Sequence, residues 1–127
     1  MRQFAVIAIL GGALAACAGA DKEPPINVPP TSIKTDITSA LTRDLSDPTN
    51  IRDAAITDPM RDGAGPYYVC LRYNPREYGV YAGRKERVVY FFEGRINQIV
   101  DATPALCAKA AYKPFPELEK LCQAEKC

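Results

Sequence analysis

The sequence predicts an α+β fold: a small antiparallel sheet of three or four strands, one amphipathic helix before it and short helices after it, stapled by disulfides. Three observations predict it. A run with helical spacing comes first, runs with a period of two follow, and proline-started helical segments close the chain. Strands and helices do not alternate, so segregated layers are expected rather than the βαβ units of a parallel sheet.

In TSIKTDITSALTRDLSDP, residues 31–48, Ile33, Ile37, Ala40, Leu41 and Leu45 recur at three- and four-residue steps. That puts them on one helix face, with Thr31 or Ser32 as N-cap and Asp47-Pro48 as the stop. Ser32, Ser39 and Ser46, seven apart, read as a cap, a small polar face and an end. IRDAAIT, residues 51–57, is a weakly patterned strand, closed by the turn-rich DPMRDGAGP. The clearest strand is YYVCLRYN, residues 67–74. Tyr67, Val69, Leu71 and Tyr73 share one of its faces, and Tyr68, Cys70, Arg72 and Asn74 the other.

PREYGVYAGRKE, residues 75–86, reads as a long polar connection. RVVYFF, residues 87–92, is apolar on both faces, which marks a central strand covered on both sides. Glu93-Gly94 before RINQIV signals a hairpin, because Gly accepts a positive φ there. Thr103-Pro104 opens a short helix in PALCAKAAY, since Pro at the first helical position forfeits no hydrogen bond. Pro116 opens another in KPFPELEKLC, packing Leu118 and Leu121. The long helix should cover one face of the sheet, and the C-terminal segments the other face or an edge.

The first sixteen residues have a different purpose. Met1-Arg2-Gln3 is basic, Phe4–Leu10 is an apolar block, and small residues follow, which are the three parts of a secretory signal peptide. The block is too short for a permanent bilayer span of about 20 residues. Leu14-Ala15-Ala16-Cys17 resembles the lipobox of bacterial lipoproteins. The resemblance implies cleavage before Cys17, a diacylglycerol on its thiol and acyl chains at the new N-terminus. This covalent lipid would be the chain's only attached group, and no cofactor is expected. At ~0.8 kcal/mol per buried methylene, several acyl chains hold a protein far more firmly than one. Lipoproteins kept at the inner membrane often carry Asp after the cysteine, whereas Ala18-Gly19 follow here, which favours the outer membrane facing the periplasm. The expected organisation is a leader over 1–16, a Pro-rich tether over 17–30 and one domain over 31–127. AGADKEPPINVPP, residues 18–30, has little to bury and suits an extended spacer of roughly 40 Å at 3.1 Å per residue.

Composition narrows the function. The chain of 127 residues carries 16 Lys and Arg against 15 Asp and Glu, and Arg2 leaves with the leader, so the mature domain is balanced. Such a balance argues against nucleic acid as partner. There is no His, which removes the commonest general base and metal ligand. The three serines lie in or beside the first helix, without a nucleophile elbow. Asp44, Asp47, Asp53 and Asp58 lack calcium-loop spacing. A non-catalytic protein is therefore expected.

If Cys17 is acylated, Cys70, Cys107, Cys122 and Cys127 remain, an even number in an exported chain, which reads as two disulfides. They lack the close pairs of a zinc site. Cys70–Cys107 with Cys122–Cys127 is preferred, because the last two share a short tail; two other connectivities stay open.

Arg and Tyr cluster after the first clear strand. Arg72, Tyr78, Tyr81, Arg84, Lys85 and Arg87 are the candidate binding residues, with Tyr73, Arg76 and Arg95 near them. Both types are over-represented where interfaces are energetic. The alternative is that they are polar outer residues guarding sheet and loop edges. Two families offer partial resemblances. Small lipoproteins that accompany outer-membrane β-barrel assembly have a similar element order. Lipoprotein inhibitors of lysozyme resemble YYVC and its later bridging cysteine, although no Ser beyond Ser46 supplies their inhibitory loop. The expectation is a membrane-anchored envelope protein with a structural or interaction role, its partner an envelope protein or peptidoglycan; the alternative is an inhibitor of lysozyme or another envelope-targeting hydrolase.

Overall fold

The structure is a computed structural model that describes residues 28–121. The leader, Cys17, the tether as far as residue 27, Cys122 and Cys127 lie outside the described residues, and the expected Cys122–Cys127 bridge with them.

Helix α1 spans Ile33–Asp44 and buries Ile37, Ala40 and Leu41, the stripe expected from the spacing. Ser32 holds the N-cap position; its carbonyl accepts the Asp36 N–H at 2.9 Å, while its hydroxyl makes no capping bond. The helix stops before Asp47-Pro48. Leu45 goes extended to pack on the core, its N–H still donating to the Leu41 carbonyl at 3.0 Å. Asp47 then accepts the Thr49 N–H at 3.0 Å and the Thr49 hydroxyl, a local side-chain bond that brackets Pro48.

The strands are β1 (Arg52–Ile56), β2 (Met60–Arg61), β3 (Tyr67–Asn74), β4 (Arg76–Glu77), β5 (Val80–Tyr81), β6 (Lys85–Phe92), β7 (Arg95–Asp101) and β8 (Lys113–Pro114). An antiparallel sheet runs β7-β6-β3-β1-β8, with β2 paired to the start of β3, so it has six strands rather than three or four. The additions are β2 and β8, two residues each. Two residues carry no periodicity, and these become strands only because β3 and β1 offer unpaired edges. The expected connection over 75–86 likewise folds into a β4–β5 hairpin, turning on Tyr78 (φ 53°) and Gly79 (φ 80°). Glu93 and Gly94 make the same left-handed pair between β6 and β7, as predicted.

Alternation along β3 sorts the core into two clusters. Val69, Leu71 and Tyr73 point to the α1 side, with Ile37, Leu41, Ile56, Val89, Phe91, Phe115 and Leu118. Cys70 points to the other side, with Val88 and Cys107, edged by Met60, Tyr68, Tyr90, Leu106 and Tyr112. β6 is central and buried on both faces, as its sequence requires.

After β7 the chain forms α2 (Pro104–Cys107), far shorter than PALCAKAAY suggested. Cys107 is tied to Cys70, at a sequence separation of 37, and six residues later the chain must already be pairing with β1. A continued helix would carry it away from that edge. α3 (Pro116–Glu119) then returns to the α1 side, where Phe115 and Leu118 are fully buried. The C-terminal segments thus occupy the second face, the edge and the first face in turn. Thr57 secures the bridged strand: its N–H donates to the Cys70 carbonyl and its hydroxyl accepts the Cys70 N–H, both at 3.0 Å.

Loss of the bridge should be the largest single covalent effect in the described domain. Replacing Cys70 and Cys107 together by Ala removes the constraint on a 37-residue loop, and urea unfolding should show a loss of about 4 kcal/mol.

Candidate functional site

The site begins with backbone strain at the entry to β1. Asn50 (φ 52°) and Asp53 (φ 53°) are both left-handed without being hairpin turns. Arg52 pairs with Asn74 and Ala55 with Arg72, so Asp53 and Ala54 together oppose Tyr73 alone, which is a β-bulge. Two left-handed residues around Ile51-Arg52 redirect the arginine. Its guanidinium lies 4.1 Å from the centroid of the Tyr81 ring. The Tyr81 hydroxyl donates to the Asn50 carbonyl at 2.8 Å, which locks the ring. Arg76 approaches the same ring at 5.9 Å and donates through Nη2 to the Gly79 carbonyl at 2.9 Å. Its Nε is buried and has no hydrogen-bond partner. Asn50, Arg52, Arg76 and Tyr81 line a shallow cleft of about 430 Å³.

The same sheet face continues from Arg52 to Arg72, since Arg52 pairs with Asn74 and cross-strand partners share a face. The Arg72 guanidinium stacks 3.7 Å above the Tyr112 ring. Together with Asp53, Arg84 and Lys113 they line a second depression of about 330 Å³. Lys113 pairs with Asp58 at 2.7 Å on the surface. The Tyr112 hydroxyl is buried without a hydrogen bond inside 3.5 Å. Burial, and next the negative charge of Glu86, push its pKa up to about 12. Beyond the disulfide, Tyr68 and Tyr90 meet at 6.1 Å in a tilted pair, while Arg61 lies 5.1 Å over Tyr67, which packs on the α1 side.

The residues expected to form one binding patch do not share one surface. Arg72 and Glu86 pair across β3 and β6 on the disulfide face, whereas Lys85 and Arg87 pair with Tyr73 and Leu71, whose side chains enter the α1 side. A period of two makes neighbours in sequence opposites in space. Lys85 is engaged by Glu77 at 2.7 Å and Arg87 by Asp101 at 2.9 Å. Tyr73 is core; burial raises its pKa despite the nearby charges of Arg87 and Lys85. Tyr78 is fully exposed at the β4–β5 turn. Arg84 is exposed and lies with Arg72, and Tyr81 joins Arg76. Arg52 did not figure in the sequence reading. Its signal was the pair of flanking residues, Asn50 and Asp53, types that tolerate the left-handed region.

A larger groove, about 580 Å³, runs between α1 and β7. Asp36, Asp44, Arg43 and Arg95 on its walls give it both signs of charge and no stacked guanidinium. Among the described residues no group of three or more Asp, Glu, Cys or His converges as a metal site. No helix among them is long and apolar enough to cross a membrane. A scan against models of protein families, and searches of curated proteins and of solved structures, found no match.

The raised phenol of Tyr112 has a visible consequence. Its folded pKa lies above the ordinary value of about 10, so its contribution to stability is complete below pH 10. That contribution is lost as pH rises through about 12. Phenolate absorbance in a titration of the seven tyrosines should show a late step near pH 12 that loses the amplitude of one tyrosine in Tyr112→Phe, with core Tyr73 the other group whose pKa is raised.

Proposed function

We propose that this chain is a lipoprotein of the cell envelope. Acyl chains on Cys17 hold it at the periplasmic face of the outer membrane, and its α+β domain is a non-catalytic interaction module for another envelope component. The observation that supports this most is the condition of the arginines on the disulfide face. Arg52 and Arg72 stack on Tyr81 and Tyr112, and among the described residues neither joins an ion pair. A stacked guanidinium keeps its N–H edge available, and its rotamer freedom is already spent before a partner arrives. Lys85 and Arg87, by contrast, have intramolecular acids to satisfy.

The tether supplies reach, the lipid confines the domain to a surface, and the disulfide keeps the stacked face rigid. An envelope protein or peptidoglycan is the partner class in this reading, and the balanced charge of the mature chain disfavours nucleic acid.

Two measurements test it. Cys17→Ser should move the protein from the membrane pellet to the soluble periplasmic fraction, and retention in the pellet would remove the anchor. Envelope cross-linking should yield an adduct that Arg72→Glu with Arg84→Glu abolishes. Arg43→Glu, on the exposed side of α1, should leave that adduct in place. An adduct indifferent to the first pair would remove this face from the interaction.

A further inference from the structure

Resting on that reading, we infer that the cleft of Asn50, Arg52, Arg76 and Tyr81 is a carboxylate-binding site for an acidic segment of a protein partner. Two guanidinium groups converge on one ring, Arg52 at 4.1 Å and Arg76 at 5.9 Å from its centroid. Both cations line the same cleft, and no carboxylate lies within 4.0 Å of either among the described residues. Asp53, beside Arg52 in sequence, is exposed and makes no ion pair with it, and two other acids nearby are occupied. Glu77 holds Lys85 at 2.7 Å, and the Asp47 carboxylate takes both the N–H and the hydroxyl of Thr49. Hydrogen bonding to Thr49, more than the charge of Arg76, keeps the Asp47 pKa below its usual value.

The donors are also unevenly used. Arg76 spends Nη2 on the Gly79 carbonyl and leaves a buried Nε unpaired. A buried donor without an acceptor is costly, and an incoming anion that reaches it recovers that cost. The strained entry to β1, with left-handed Asn50 and Asp53 and the bulge at Asp53-Ala54, holds Arg52 in place before any ligand binds.

The chemistry favours a carboxylate over a phosphate. Planar guanidinium forks match two oxygens of a carboxylate or of a phosphate alike, so the backbone around the cleft makes the distinction. Phosphate cradles use runs of free backbone N–H groups. Here the Ala82 N–H is taken by the Pro75 carbonyl at 2.9 Å and the Gly83 N–H by the Asn74 side chain at 3.0 Å. No lysine lines the cleft. Asn50, whose side chain both donates and accepts, suits the peptide group beside an acidic side chain. Along the same face Arg72 and Arg84 offer a second contact for an extended segment.

The test uses the full-length protein in detergent and a fluorescein-labelled peptide with glutamate at every third position. Its glutamine counterpart and inorganic phosphate serve as competitors, and anisotropy is read at low salt. The glutamate peptide should bind about tenfold more tightly than the glutamine peptide. Arg52→Gln and Arg76→Gln should each weaken it about fivefold to tenfold, Arg52→Lys less, and Arg43→Gln not at all. Arg52 is exposed, so its variants report even if Arg76→Gln fails to fold. Equal binding of the two peptides, insensitivity to Arg52→Gln, or equal displacement by phosphate overturns the inference. If the envelope adduct survives Arg52→Gln while peptide binding is flat, the acidic-segment site fails and the interaction role stands. If the wild-type protein gives no adduct but binds the glutamate peptide, the site stands and the envelope role fails.

Discussion

Burial of β3 from both sides is the constraint on which the rest of this molecule depends. Val69, Leu71 and Tyr73 need one cover and Cys70 needs another. The first is provided by α1 together with the returning α3; the second is a short helix that is held by a covalent bond. The two covers are unequal. The α1 side collects the large buried side chains Phe91, Phe115, Leu71 and Leu118, while the other cluster has only Cys70, Val88 and Cys107 fully enclosed. A layer that small buries too little apolar surface to hold α2 by packing alone. The disulfide supplies by chain connectivity what area cannot.

That imbalance also decides where a surface for other molecules is found. The α1 side is covered by α1 and α3 apart from the mixed-charge groove beside β7, and its cations Lys85 and Arg87 are neutralised within the domain. The disulfide side remains an open sheet face of half-buried tyrosines with stacked arginines along it. Stacking costs an arginine little hydration and leaves its N–H edge outward. A small domain thereby presents fixed, partly desolvated cations without a deep pocket, an arrangement suited to recognising a surface rather than enclosing a metabolite.

Rigidity comes from short-range devices at each end of this face. The Tyr81 hydroxyl is bonded to the Asn50 carbonyl across 31 residues of sequence, and Thr57 bonds both polar groups of the Cys70 backbone. The bulge at Asp53-Ala54 also lets the Ala54 carbonyl accept the Phe115 N–H at 2.9 Å, which begins the return of the chain to the first face. One irregularity in β1 therefore serves both the aim of Arg52 and the seating of α3.

Much of this was legible in the residues. The stripe of Ile37, Ala40 and Leu41, the two faces of YYVCLRYN and the hairpin at Glu93-Gly94 follow from period and turn chemistry, and Cys70–Cys107 was the preferred one of three connectivities. Those signals are local, or reduce to parity. What they do not contain is pairing between segments too short to have a period. β2 and β8 exist because neighbouring strands had unpaired edges, and α2 stops where it does because its cysteine is bonded elsewhere. The Arg and Tyr content of residues 72–87 was visible, but its division between two faces required the register of β3 against β6. Arg52, 29 residues upstream of Tyr81, meets its ring beside the bulge at Asp53-Ala54, and a contact between such distant residues is settled by how the chain folds back on itself.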